Sequence, residues 1–324
     1  MSQVYLKNEK LAQKAALLFI ISPASIFFSA FYTESLFCFF TFLGYYFLYK
    51  DEPFTYKNLS LATLFFCLSG FIRSNGNFYI LLIGYRLLHR LIESALKSDF
   101  SLNKKVFEGF KIIAIGIVIL ILMNIPYVVV MRMPWKTYCK DFIEYPGAEK
   151  PSFCNSMIPN AYTYIQDKFW DVGFMTSWQP RKAFFVIWGI PMLVLMGVML
   201  GKYYKRNFLN TVLLGIPGAL TKRGAGEKNE NDAFYMSKNI PSIILTTIMF
   251  VVNTFFAHIN VSSRINSSNP LVYWYAAYAL SVVKGIKGEG ETMKWSCKNH
   301  LILYYFIFYM VTGCAVFTNF YLFV

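Results

Sequence analysis

The chain has 324 residues, of which 56% are apolar, 19% aromatic and only 15% charged. That leaves too few charges to cover a soluble surface, so the class is a polytopic membrane protein. A net charge of +14 does not mark a nucleic-acid binder here, because the Lys and Arg residues lie between apolar runs rather than on one basic face; they read as topogenic charge with affinity for anionic lipid.

In chain order, residues 1–14 form a short basic tail, and residues 15–21 begin an apolar run that Pro23 interrupts. No small-residue cleavage site precedes a soluble domain, so this start does not read as a cleaved signal. Apolar runs over 36–49, 59–72 and 78–88 end at Lys50, at Arg73 and in a basic segment. The clearest hydrophobic helix covers 112–130 and leads into a long polar loop over 131–182. Runs over 183–200, 240–257, 271–283 and 301–324 bring the expected total to about nine crossings, several shorter than the roughly 20 residues an upright span needs. The expected fold is all-α, a single transmembrane helical bundle over 1–324. Residues 218–239 include GAGEKNEND and read as a flexible cytosolic loop.

Charge asymmetry orients this bundle. With the N-terminus in the cytosol and the C-terminus outside, more than two thirds of the 31 Lys and Arg residues fall on the cytosolic side. Four polar clusters then share the opposite face: residues 22–35, 73–77, the long loop, and 258–269. A transporter would instead place ionisable groups at mid-depth, where these spans carry almost none.

Within the loop, NSMIPNAYTYIQDKFWDVGFM (155–175) is too polar to cross a bilayer and unusually aromatic. Read as a helix, it puts Ile158, Tyr162, Ile165, Phe169 and Val172 on one stripe, with Asp167 and Asp171 one turn apart on another face. Two readings fit: a helix lying in the membrane surface, or a loop helix that plugs the bundle. Cys139 and Cys154 are the pair in this loop, and a spacing of 15 residues does not decide whether they are bridged. Cys38, Cys67 and Cys314 lie within spans and read as small apolar residues. The three histidines are scattered, so a metal site is disfavoured. Gly197 and Gly201 have the spacing of a close helix contact.

Four segments in order, SPASIFFSAFYTESLF (22–37), FIRSNG (71–76), YIQDKFWDVGF (164–174) and HINVSSRINSSNPLVYW (258–274), resemble the GPI mannosyltransferase 2 family, the PIG-V type enzymes. The resemblance covers nearly the whole chain. It implies a GT-C fold glycosyltransferase of the endoplasmic reticulum membrane with its active face luminal. The implied reaction adds the second mannose of the GPI precursor in α-1,6 linkage from dolichol phosphate mannose, with inversion. Such a displacement needs a carboxylate to take the acceptor's proton and cations to receive the departing phosphate. The donor carries its own leaving group, so the resemblance implies no cofactor, nucleotide site or metal. The implied partners are the lipid donor, the GPI acceptor and, as in yeast-type members, a small membrane subunit. Family chains begin with another span and a luminal loop bearing a Trp-Asp motif and a downstream Glu. No such region precedes Ser22, so the expectation is an incomplete sequence, or a shortened and inactive product.

The candidate residues follow from these segments. Glu34 and Asp167 are the candidate catalytic carboxylates; Glu34 can bind sugar hydroxyls or simply occupy the first turn of a helix. Arg73 with Asn75 suits a phosphate diester, or snorkels to lipid headgroups. Tyr32, Gln166 and Trp170 can grip a sugar, although interfacial aromatics are common without a ligand. His258 and Arg264 can neutralise a leaving phosphate, or form structural ion pairs with Glu34 or Asp167. Asp171 is weaker, because the family shows Asn there. Asn260 and Asn266 satisfy the glycosylation rule but lie too close to the membrane. The readings that remain are a luminal mannosyltransferase, a non-catalytic paralogue or membrane subunit, and, less favoured, a lipid transporter.

Overall fold

The computed structural model describes residues 1–52, 55–97, 101–140, 149–157, 160–216, 234–281 and 300–319. Most of the flexible segment expected over 218–239 lies outside these residues, as do Ile158 of the amphipathic stripe and the end of the last span. From Phe234 onward that segment is packed: Phe234 is buried against Tyr203 and Tyr275, and Asn239 is buried.

Among the described residues every regular element is helical. In chain order they are α1 (Ser2–Leu6), α2 (Glu9–Ile20), α3 (Ser25–Ser29), α4 (Glu34–Tyr49), α5 (Tyr56–Ile72), α6 (Ile80–Leu96) and α7 (Leu102–Trp135). They continue as α8 (Ala161–Trp170), α9 (Ala183–Val212), α10 (Ile240–Phe255), α11 (Ser262–Ile265), α12 (Pro270–Ser281) and α13 (His300–Thr318). Four helical stretches, 102–140, 180–212, 237–255 and 300–318, are long and apolar enough to cross a membrane, and Tyr56–Ile72 is a shorter apolar helix. This is an all-α membrane protein. The longest helix, α7, has 34 residues and so reaches about 51 Å, well beyond a hydrocarbon core of about 30 Å.

α12, at the expected run over 271–283, is apolar on every side. Pro270 through Ala277 are all buried, so its neighbours are protein rather than lipid, and its twelve described residues are fewer than the roughly 20 of an upright span. The polar segment leading into it descends inside the bundle, because Ser262, Ser263, Asn266, Ser267, Ser268 and Asn269 are buried too. Non-helical backbone survives at such a place only when its polar groups are satisfied by protein. Here Asn266 N donates to Ser262 O (3.1 Å), Ser267 N to Arg264 O (3.2 Å) and Asn269 N to Asn266 O (3.0 Å). Side chains add to the set: Ser262 Oγ donates to Ile259 O (2.6 Å) and Asn269 Nδ2 to Thr246 Oγ1 (2.8 Å).

Helix contact also departs from the expected glycine pair. Among the described residues, a Cβ at Gly201 would meet nothing within 4 Å, and one at Gly197 only the Phe250 ring at 3.7 Å. The close approach in α9 is at Gly189, where a Cβ would lie 2.0 Å from Ile259 O. That contact presses α9 against the turn that starts the buried segment.

Candidate functional site

The four polar clusters meet at one end of the bundle. At the end of α5, Arg73 N donates to Ser69 O (3.0 Å) and Gly76 N to Arg73 O (2.9 Å), which turns the chain back toward α6. A Cβ at Gly76 would lie 2.6–2.8 Å from the backbone of Ser69 and Gly70, so only glycine permits this fold-back. The turn aims Arg73 at the first turn of α4, where Glu34 sits. Arg264, on α11, reaches the same carboxylate from the other side: its Nε donates to Glu34 Oε1 at 2.8 Å, and Arg73 Nη1 donates to the same oxygen.

Glu34 is 0% exposed, and it is the only fully buried charged side chain among the described residues. Each arginine side chain is 19% exposed. Among the described residues Glu34 Oε2 has no hydrogen-bond partner. Aromatic rings hold the guanidiniums: Arg264 Cζ lies 4.5 Å from the Phe27 ring centroid and 4.8 Å from that of Tyr32, and Arg73 Cζ lies 5.8 Å from that of Phe37. Two cations around one carboxylate leave the cluster with a net charge of +1. Asn75 and Asn77 follow Arg73 in the turn, and Asn75 Nδ2 and Asn77 Oδ1 are buried without a partner among the described residues.

The loop helix α8 lies over this end. Asn160 caps it, accepting from Thr163 N (3.1 Å). Its start is tied to the end of α7 by the Cys139–Cys154 disulfide, which spans a Cα separation of 5.4 Å. Phe153 and Ala161 pack on Cys139, and Ser74 Oγ donates to the Tyr162 hydroxyl at 3.1 Å, one residue from Arg73. The other end is held by α10, whose last carbonyls lack helical donors. Met175 N donates to Phe255 O (2.7 Å), Trp178 Nε1 to Thr254 O (2.8 Å) and Ser177 Oγ to Ala257 O (3.0 Å). His258 Nε2 lies 2.5 Å from the Trp170 carbonyl, at the C-terminus of α8.

The structure therefore sorts the sequence candidates into two groups. Glu34, Arg73, Arg264 and Tyr32 form one contact cluster, with Asn75 in the adjoining turn. Gln166, Asp167, Trp170 and His258 belong to α8 and its anchor, linked to the first group through Tyr162 and Ser74. Asp167 is exposed, and among the described residues its carboxylate has no hydrogen bond or ion pair. Tyr162, Ile165, Phe169 and Trp170 are exposed as well.

Asp171 is not on the helix as its spacing implied. It terminates α8 in the left-handed conformation with φ 48°, and its carboxylate pairs with Lys182 Nζ (2.8 Å) and Arg181 Nη2 (3.1 Å). The Lys182 ammonium, through a hydrogen bond and its charge, holds the Asp171 carboxyl below its usual range, with Arg181 adding to it. The buried hydroxyl residues were missed by sequence reading: Tyr273, which donates to Ser267 O (3.0 Å) and meets Ser22 Oγ (2.9 Å), and Tyr79, which meets Ser268 Oγ (3.2 Å). Only the run of Ser and Asn before Pro270 hinted at them.

The chain is 30% identical to GPI mannosyltransferase 2 of Gibberella zeae over 290 residues, covering 86% of this chain and 61% of that protein. It is 27% identical to GPI mannosyltransferase 2 of Schizosaccharomyces pombe, over 97% of this chain and 56% of the relative. It is 23% identical to GPI alpha-1,6-mannosyltransferase 2 of Homo sapiens, over 87% and 58%. The chain thus spans about 56–61% of the length of these relatives. No solved structure matches it. A sequence profile of the Mannosyltransferase (PIG-V) family matches residues 1–324 in full, and the chain belongs to that family.

Proposed function

We propose that this protein transfers mannose from dolichol phosphate mannose to the first mannose of a GPI-anchor precursor, in α-1,6 linkage, at the luminal face of the endoplasmic reticulum membrane. The observation that carries this reading is the buried Glu34 with Arg73 and Arg264 at the end where all four family-like segments converge. The relatives' names supply the sugar and the acceptor.

In the displacement, the acceptor hydroxyl oxygen bonds to the anomeric carbon while the bond from that carbon to the phosphate oxygen breaks. The electron pair leaves on the phosphate, and the hydroxyl proton passes to a carboxylate. Arg73 and Arg264 receive the phosphate, since guanidinium N–H groups match its oxygens in geometry and charge. Asp167 is assigned the proton, because among the described residues its carboxylate is unpaired, and its helix adjoins Ser74. Tyr32, Gln166 and Trp170 line the approach with ring faces and an amide. The N-terminus lies in the cytosol in this reading, and a small membrane subunit belongs to the proposal by resemblance.

The test is complementation. The natural gene product is expressed in cells lacking the second GPI mannosyltransferase, and both surface GPI-anchored protein and the accumulating lipid are scored. Rescue by the wild type, and its loss with Asp167→Asn, Arg73→Ala and Arg264→Ala, is the expected result. Protein that reaches the membrane but leaves the one-mannose lipid in place would overturn the reading. Affinity purification from the same cells tests for the subunit.

A further inference from the structure

Glu34 and Asp167 both qualify by residue type as the base, but the geometry separates them. A base must come within hydrogen-bond reach of the hydroxyl it deprotonates. Glu34 lies behind its arginines: the carboxylate is 0% exposed and each arginine side chain 19%. Oε1 is occupied by two guanidiniums, and Oε2 is buried. A substrate arriving from the open side meets Arg73 and Arg264 first.

The manner of contact adds to this. Arg264 spends its Nε on Glu34, so its paired Nη groups stay available, and Arg73 uses Nη1. A guanidinium carries five N–H donors. The two side chains come from distant parts of the chain, and their like charges would repel each other at low dielectric unless an anion lay between them. Phe27 and Tyr32 brace Arg264, and Phe37 braces Arg73.

We propose that Glu34 is a positioning residue rather than the base: through one shared oxygen it draws Arg73 and Arg264 into a single receiver for the phosphate of a polyprenyl phosphate. This rests on the mannosyltransferase reading, but it makes a claim about binding that can fail separately. The Glu34 charge acts on affinity for the phosphate lipid, and the proton goes elsewhere.

The experiment places the natural gene product in nanodiscs and titrates it with dolichyl phosphate, following tryptophan fluorescence. Glu34→Gln removes the charge that joins the arginines and should weaken binding about 30-fold, the scale of a lost charge-assisted contact. Glu34→Asp keeps the charge and should recover part of the affinity; it also carries the test if the glutamine variant does not fold, which its thermal transition reveals. In turnover, Glu34→Gln should raise KM for dolichol phosphate mannose and keep the acidic limb of the pH–rate profile. Asp167→Asn should lower kcat and leave dolichyl phosphate binding intact. Unchanged affinity in Glu34→Gln, alongside weakened binding in Arg73→Lys and Arg264→Lys, would overturn the positioning role alone. Loss of the acidic limb in Glu34→Gln would overturn it in favour of a base. No binding by the wild type would overturn both this role and the phosphate site beneath it.

Discussion

Replacing Gly189 by alanine tests whether the Arg264 segment depends on contact with α9. The new methyl would stand 2.0 Å from Ile259 O, 2.4 Å from Ile259 Cγ2 and 2.5 Å from Ile259 C. Bringing the oxygen out to an ordinary 3.4 Å requires a shift of about 1.4 Å. The atoms in the way are mostly backbone, so no side-chain rotation relieves the clash. Overpacking of this kind costs about 1–3 kcal/mol. The same shift loosens the Ser262 Oγ bond to Ile259 O at 2.6 Å, worth about 1 kcal/mol, while alanine returns about 1 kcal/mol of helix propensity. The net loss is about 2 kcal/mol, or about 3 °C in melting temperature for a chain of this size. Arg264 follows Ile259 by five residues, and its 2.8 Å bond to Glu34 does not survive a transmitted shift of that order, so dolichyl phosphate affinity should fall as well. Scanning fluorimetry of the detergent-solubilised protein measures the first effect, and the nanodisc titration the second. The control is Gly201→Ala in the same helix, where a Cβ meets nothing within 4 Å among the described residues and stability should hold or rise. If Gly189→Ala melts with Gly201→Ala, the claimed contact is wrong.

Other outcomes follow from the same geometry. Gly76→Ala forces a Cβ within 2.8 Å of the Ser69 and Gly70 backbone; it should cost about 1–3 kcal/mol and reduce rescue in the complementation assay, and full rescue would show that the Arg73 turn is not fixed as described. Cys154→Ser opens a loop closed across 15 residues, worth about 3 kcal/mol on a chain-entropy estimate, and should lower the melting temperature and speed proteolytic cleavage around α8; equal cleavage would mean that the disulfide does not hold the loop. Asp171→Asn removes exposed pairs with Lys182 and Arg181 and should keep activity within a few-fold, whereas a loss as deep as that of Asp167→Asn would move the base to Asp171. Asn266 is buried and its Nδ2 donates to Ser262 O at 2.9 Å, so a glycosidase should produce no gel shift attributable to that residue.

The class, the all-helical fold and the places where polar clusters interrupt apolar runs were legible in the sequence, because transfer of a side chain between water and lipid is set by residue type and short-range order. The candidate residues Glu34, Arg73, Arg264 and Tyr32 were legible too, as members of those clusters. That they touch was not: Glu34 lies 39 residues from Arg73 and 230 from Arg264, and only the packing of α4, α5 and α11 closes those distances. Spacing on a helix placed Asp171 beside Asp167, yet Asp171 ends the helix: it turns left-handed, and Val172 N closes the last turn on Gln166 O at 3.0 Å. Hydropathy marked α12 as apolar, but only the tertiary fold decided that protein surrounds it, since a residue's polarity cannot distinguish lipid from protein as its apolar neighbour. The glycine spacing at 197 and 201 pointed to a contact that the bundle makes instead at Gly189, since which face of a helix meets its neighbour is decided by the whole packing arrangement. Composition and order determined what this chain is made to sit in; the tertiary fold alone decided which of its charges meet.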